Sequence, residues 1–225
     1  MYTHVIGASS AIGRSIVNHL RLDGHQVVTL GRSEQNDIVW DIVKDHNVPS
    51  LEGYLPLNGF VYCHGLNYNS ITSKANQFDA DCEIISAVIF SALSFYRAVS
   101  SDLCPEPSIV FLGSLATKLI YSDDLAYTIS KTALYGLVRA ISHEIGSMGG
   151  IVNMVSPGYV KTPMTHHSWH DPKARGIRSE RSMRKTWAST DDVAHVVKFL
   201  MSRPLPFMTG QNILVDDGWH LSSGL

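Results

Sequence analysis

An α/β fold, a Rossmann-like doubly wound parallel sheet of about seven strands with helices on both faces, is predicted by three features of the sequence. Short apolar runs alternate with longer helix-period segments from end to end. That alternation needs crossover connections and therefore parallel strands. Ile38-Val39-Trp40 and Ile109-Val110-Phe111-Leu112 are nearly unbroken apolar runs, as strands buried on both faces require. The first run feeds a glycine-bearing turn, Gly7-Ala8-Ser9-Ser10-Ala11-Ile12-Gly13, that opens an amphipathic helix.

The elements follow in order. A strand over 3–6 leads through the glycine turn into a helix over 11–22. Strands over 26–30 and 37–40 come next, with only residues 31–37 between them. A parallel crossover usually takes a dozen residues or more, so a full helix does not fit there. A strand over 59–62 precedes a helix over 81–100, in which Ile85, Val88, Ile89, Ala92, Leu93, Tyr96 and Val99 recur at helical spacing. A strand over 108–112 and a helix over 125–145 follow, the latter with Leu134, Leu137, Val138, Ile141 and Ile145 in register. Strands over 151–155 and 212–215 flank a helix over 190–201. No internal repeat, linker or low-complexity tract divides residues 1–225, which reads as one domain.

Composition narrows the function classes. With 44% hydrophobic, 17% charged and 9% aromatic residues, the chain is neither disordered nor fibrous. A formal net charge of −2 supplies no global basic field for nucleic acid or anionic membrane. Cys63, Cys82 and Cys104 are an odd count without a CxxC, which suits a reducing cytoplasm. Met1-Tyr2-Thr3-His4 has no signal-peptide pattern, and the apolar stretch 84–96 reads as too short and too serine-rich to span a bilayer.

Two constellations carry chemistry. In the glycine turn, residues without bulk let the chain approach a pyrophosphate, and the new helix offers free N–H groups and a positive dipole end. Gly7, Ser9, Ser10, Ala11, Ile12 and Gly13 are the candidate contacts. The second strand ends at Leu30-Gly31-Arg32. No carboxylate stands there to accept from a ribose 2′-OH, and a guanidinium can fork onto a 2′-phosphate, so NADP is favoured over NAD. The second constellation is Ser114 at a strand end, followed by Tyr127 and Lys131. The latter pair stands at i and i+4 on one helix face. A lysine ammonium near a phenol favours the phenolate, and such a tyrosine can pass a proton to a developing alkoxide. The serine hydroxyl can hold a carbonyl oxygen.

These motifs, with Ser156-Pro157-Gly158-Tyr159-Val160-Lys161-Thr162-Pro163 and the closing Val215-Asp216-Asp217-Gly218, resemble the short-chain dehydrogenase/reductase family over nearly the full length. The resemblance implies a seven-stranded sheet, NAD(P)-dependent hydride transfer and a homodimer or homotetramer. It implies that Ser114 orients the carbonyl, that Tyr127 is the acid/base, and that Lys131 holds the ribose and lowers the tyrosine pKa. Val160 and Thr162 would contact the nicotinamide carboxamide, with Pro157 and Gly158 beside them, and Asp41 would lie near the adenine. His64 and Gly65 fall at the cofactor, His64 being read as a satisfied structural histidine rather than a catalytic one.

The chain departs from the family pattern at Ile6, at Ala11 and at Tyr62-Cys63-His64-Gly65, which together imply a rebuilt strand junction. Val88 stands where the family has the asparagine that supports a water relay to the lysine.

Residues 164–189 occupy the place of the family's substrate lid, with Trp169 and Trp187 expected to cover the substrate. Six basic residues there, Lys173, Arg175, Arg178, Arg181, Arg184 and Lys185, face two acidic ones, Asp171 and Glu180. That rim suits an anionic small-molecule substrate or is simply a solvated face. His166, His167 and His170 have no cysteine or carboxylate partner at ligand spacing, so no metal is expected. The function expected is NADP(H)-dependent oxidoreduction of a carbonyl or secondary alcohol, with 3-oxoacyl thioesters and sugars both open as substrates. The alternative is a catalytically weak NADP-binding regulator or assembly subunit.

Overall fold

The computed structural model describes residues 1–45, 47–67, 76–120, 124–203 and 205–222. Seven parallel strands form one sheet: β1 (Tyr2–Ile6), β2 (Val27–Gly31), β3 (Ile38–Val39), β4 (Leu57–Tyr62), β5 (Leu103–Leu112), β6 (Ile151–Pro157) and β7 (Asn212–Val215). Their order is β3-β2-β1-β4-β5-β6-β7, so the order reverses beside β1 and leaves a crevice above the ends of β1 and β4. Each central strand is apolar on both faces because a helix layer covers each. On one face α1 (Ala11–Leu22) and α7 (Thr190–Met201) pack Ile16, Leu20, Val193 and Val197 against Val5, Val61 and Val110. On the other, α3 (Ser91–Val99) and α4 (Leu125–Ile145) pack Phe95, Leu134 and Val138 against Phe60, Phe111 and Met154.

The β2–β3 connection holds no helix, as its length required. A side-chain clasp closes it instead. The Asp37 carboxylate accepts from the Thr29 N–H and Oγ1, each at 2.8 Å. β3 is accordingly shorter than the 37–40 run, pairing only at Leu30↔Ile38 and Gly31↔Val39.

The helix expected over 81–100 starts earlier and is interrupted. It comprises α2 (Gln77–Ile85), a π turn over Ser86–Phe90, and α3. Asn76 caps it by accepting from the Asp79 N–H at 2.9 Å. The π turn has a physical cause in a neighbouring strand. The Tyr62 hydroxyl reaches Ser91 Oγ at 2.5 Å, and Ser91 Oγ donates to the Ala87 carbonyl at 2.5 Å, so side-chain oxygens enter the helical ladder. Val88 lies in this turn, fully buried in the core that Phe60 and Phe95 share. The continuous stretch Gln77–Asp102 is 26 residues with a mean hydropathy of 1.5, long and apolar enough to cross a membrane by length and composition, contrary to the reading of 84–96 as too short. Its Ile84, Ala87, Ala92 and Phe95 are spent on the core.

The segment between β6 and α7 folds into two short helices, α5 (His166–His170) and α6 (Pro172–Ser179). Asp171 caps α6 by accepting from the Lys173 N–H at 3.0 Å, with Pro172 in the first turn.

Candidate active site

The glycine turn is built by close approach. The Gly7 and Ala8 N–H groups donate to the Leu30 carbonyl at 2.9 and 3.1 Å, tying the end of β1 to β2. Ser10 Oγ caps α1 by accepting from the Gly13 N–H at 2.9 Å. A Cβ on Gly13 would lie 2.3 Å from the Gly7 carbonyl oxygen, so only glycine fits there. Ser9 Oγ accepts from Asn36 Nδ2 at 2.9 Å and so faces the β2–β3 connection. Both hydroxyls thus hold the turn itself, and Ala11 and Ile12 open α1 directly after it. Arg32 is exposed on the neighbouring connection and makes no ion pair among the described residues. A cavity of about 420 Å³ lies beside it, lined by Ser9, Arg14, Ser33 and Asn36.

The rebuilt junction is intact. The Cys63 N–H donates to the Ile6 carbonyl at 2.8 Å, extending the β1–β4 ladder without side-chain help. Gly65 leaves room for a lysine: a Cβ there would lie 3.2 Å from Lys131 Nζ.

Ser114 follows Gly113 beyond the end of β5 and is buried. Its Oγ accepts from the Ala116 N–H at 3.1 Å and lies near enough to Tyr127 to act on its phenol. Tyr127 sits in the first turn of α4, where Asp124 accepts from its N–H at 3.0 Å. Lys131 is one turn on, buried, with Nζ 5.9 Å from the Tyr127 ring centroid. The structure therefore brings Ser114, Tyr127 and Lys131 together.

Their electrostatics differ from the expectation in one respect. Burial pushes the Tyr127 phenol above its ordinary pKa, the Ser114 hydroxyl opposes it, and the charges of Asp124 and Tyr159 add to the rise. Lys131 is not among the groups that set this balance, and its ammonium donates to the Leu112 carbonyl at 2.9 Å and the His64 carbonyl at 3.4 Å. Burial lowers Lys131 itself to about 8.

His64 is also corrected. It is not satisfied: its Nε2 is buried with no partner among the described residues. Burial first, then the charges of Lys131 and Arg32, push its pKa down to about 4, while Asp41 opposes them. The imidazole thus sits among three of the other candidate residues. Asp41 is half-buried, accepts from the Val43 N–H at 3.2 Å and lies 3.8 Å from Lys44.

On the opposite wall, the Gly158 N–H beyond Pro157 donates to the Val215 carbonyl at 2.9 Å. Val160 is buried and bridges to Ala188, and the Thr162 N–H donates to Thr165 Oγ1 at 3.1 Å. Trp187 is buried and Trp169 half-buried, their ring centroids 5.4 Å apart. Among the described residues no three His, Cys, Asp or Glu side chains cluster for a metal; His166 and His170 simply stack at 4.0 Å.

Tyr159 and Trp219 were not singled out in the sequence. Their rings stack at 4.6 Å and line a cavity of about 290 Å³ between the lid and the segment after β7. The signal available was an aromatic residue in each of two matched motifs, Pro157-Gly158-Tyr159 and Asp217-Gly218-Trp219.

Comparison with known proteins fits this frame. A family model described as enoyl-(acyl carrier protein) reductase matches residues 52–220. A mouse (Mus musculus) 3-oxoacyl-[acyl-carrier-protein] reductase is 27% identical, the alignment covering 97% of each chain. An L-xylulose reductase of Caenorhabditis elegans is also 27% identical, over 96% of this chain and 94% of its own. Among solved structures, the TT0495 protein of Thermus thermophilus superposes with a TM-score of 0.87 at 26% identity, covering 96% of this chain and 97% of that one. The frame and these relatives define a Rossmann-type oxidoreductase. Within that class, the chain belongs to the short-chain dehydrogenase/reductase family.

Proposed function

We propose that this protein is an NADP(H)-dependent carbonyl reductase or alcohol dehydrogenase in which Ser114, Tyr127 and Lys131 act on the substrate oxygen. The observation that carries the reading is the grouping of buried Ser114 beside Tyr127 with Lys131 one helical turn beyond. The residues around the crevice fit a dinucleotide: Gly13 lets the turn pack backbone against backbone, Gly65 leaves space beside Lys131, and the exposed Arg32, without an ion pair among the described residues, suits a 2′-phosphate. When bound, NADP(H) supplies or takes the hydride.

The protein's own groups handle orientation and the proton. Ser114 Oγ already accepts from Ala116, so its hydroxyl proton is free to donate to a carbonyl oxygen once Tyr127 turns to the substrate. Tyr127, held above its ordinary pKa, stays protonated near neutral pH and donates as negative charge develops on that oxygen. Lys131, at about 8, is mostly charged near physiological pH and serves the ribose hydroxyls. The substrate classes that the relatives support are a 3-oxoacyl thioester and a sugar.

The test is single-turnover oxidation of bound NADPH by a carbonyl panel that includes acetoacetyl thioesters and keto sugars. Tyr127→Phe is expected to lower the rate at least about 100-fold while NADPH binding changes less than about threefold, because the phenol makes its decisive bond only as charge develops. In the same titration NADPH should bind about tenfold more tightly than NADH, the worth of one charged hydrogen bond. Wild-type rates from Tyr127→Phe would refute the mechanism and leave a cofactor-binding regulator as the reading.

A further inference from the structure

The lid carries a pattern that the proton-transfer site does not use. Arg175, Arg178 and Arg181 stand three residues apart along α6 and the turn that follows it. Each guanidinium lies over a different aromatic ring: Arg175 over Trp169 at 5.3 Å, Arg178 over Tyr159 at 4.8 Å and Arg181 over Trp219 at 5.8 Å. The rings are themselves in contact, Tyr159 with Trp219 at 4.6 Å and Trp169 with Trp187 at 5.4 Å. Among the described residues none of the three arginines makes an ion pair, although Arg184 and Lys185 on the same lid do, with Asp217 at 2.7 Å and Glu180 at 2.9 Å. A guanidinium whose face is covered by a ring keeps its N–H edge free and oriented, the geometry that suits a carboxylate or phosphate.

The cavity behind Arg178 has the matching chemistry. Its carboxylates are engaged internally. Asp217 accepts from the Arg184 N–H and Nε, Asp192 from the Ser189 N–H and Oγ, and Asp216 from the Gly218 and His220 N–H groups. The groups left over are donors: Arg178, and the Trp187 and Trp219 indole N–H groups in the wall, which are buried without an acceptor among the described residues. A site with surplus donors and an unpaired cation is suited to an acceptor-only ligand. Its position is also informative, because Tyr159, whose ring Arg178 covers, is near enough to Tyr127 to act on its phenol.

We propose that the arginine–aromatic ladder and the cavity behind Arg178 form a recognition subsite for an oxyanion, carboxylate or phosphate, borne by the substrate away from its carbonyl. This rests on the reading of Tyr127 as the proton donor to a carbonyl, and it narrows that reading to anionic substrates.

The test needs neither turnover nor cofactor. Three of the four tryptophans, Trp169, Trp187 and Trp219, lie in or beside the ladder, while Trp40 is buried in the core. Tryptophan fluorescence of the whole protein is followed as citrate or inorganic phosphate is added, with potassium chloride at matched ionic strength as the reference. The expected result is a saturable change with citrate, with phosphate or with both, whose dissociation constant rises about tenfold or more in Arg178→Gln, the worth of one charge-assisted contact. A response to citrate alone assigns a carboxylate substrate, and a response to phosphate alone a phosphorylated one. Arg175→Gln, at an exposed position, should weaken the same response and serves if Arg178→Gln lowers stability. Arg139→Gln, at an exposed position of α4 outside the lid, should leave it unchanged. No saturable change beyond that of chloride, or wild-type binding by both lid variants, overturns the proposal. Neither outcome bears on Tyr127→Phe, so the two readings fail separately.

Discussion

The floor of the crevice and the lid above it are built by different forces. The floor is fixed by backbone in contact with backbone: Gly13 packs where a Cβ would meet the Gly7 carbonyl at 2.3 Å, and Lys131 is held by two strand-end carbonyls. The lid is fixed by ring faces, cations and exposed ion pairs, with α5 and α6 burying no residue fully. Steric contact falls off over tenths of an ångström, whereas cation–π and surface ionic contacts tolerate movement and vary with salt. The difference implies that errors in the floor are felt as lost stability and errors in the lid as lost selectivity.

The strongest way to break that comparison is Gly13→Ala. The added methyl would meet three neighbours within 3 Å, two of them backbone, so the turn itself must shift. The expected cost is about 3 kcal/mol, the upper part of the overpacking range, together with loss of NADPH binding. Urea unfolding measures the first and a cofactor titration the second. An alanine variant of wild-type stability that still binds NADPH would show that the floor yields as readily as the lid.

Much of the floor was legible in the sequence because its causes are local. Continuous apolar runs mark buried parallel strands, and the glycine spacing marks a turn whose geometry tolerates little else. The Ser114, Tyr127 and Lys131 grouping followed from a strand end and one helix face. What escaped depends on residues distant in sequence. The π turn at Ser86–Phe90 needs Tyr62, from another strand, to reach Ser91. Lys131 was expected to serve Tyr127, and only the folded chain brings the His64 and Leu112 carbonyls within its reach. The lid arginines read equally as a rim for an anionic substrate or a solvated face, because two of their ring partners, Tyr159 and Trp219, lie 60 residues apart in the chain and meet only across the cavity.

A second, smaller effect separates the regions by pH. His4, buried within β1 with Nε2 on the Tyr54 carbonyl at 2.9 Å, and His64 both have pKa values lowered to about 4, chiefly by burial. The unfolded chain takes up these protons near pH 6.5 and the folded chain only near 4. Their contribution is therefore intact above pH 6.5 and is lost as pH falls from 6.5 to about 4, on the order of 2 kcal/mol for a fully buried group such as His4. Urea midpoints measured across that window should fall with acid, and His4→Gln should flatten the slope. The lid histidines His166, His167 and His170 are exposed, so replacing all three by glutamine should leave the slope in place. A slope that follows the lid histidines instead would reverse the assignment.

The smallest expected effect tests the lid directly. Arg184 pairs with Asp217 at 2.7 Å, but the arginine side chain is 77% exposed. An ion pair so open to water gains little, because solvent screens the attraction and ordering a long side chain has an entropic cost. Arg184→Ala also spares part of the contact, since the backbone N–H of residue 184 still donates to Asp217 Oδ2 at 2.7 Å. The variant should lose no more than about 0.5–1 kcal/mol, and less at high salt. Its oxyanion response should weaken, because loss of the guanidinium leaves Asp217 Oδ1 unpaired at the cavity. Differential scanning calorimetry at two salt concentrations measures the stability change. A loss well beyond 1 kcal/mol that salt does not diminish would mean that the lid unfolds as part of the frame, and selectivity and stability would then not divide between the two regions.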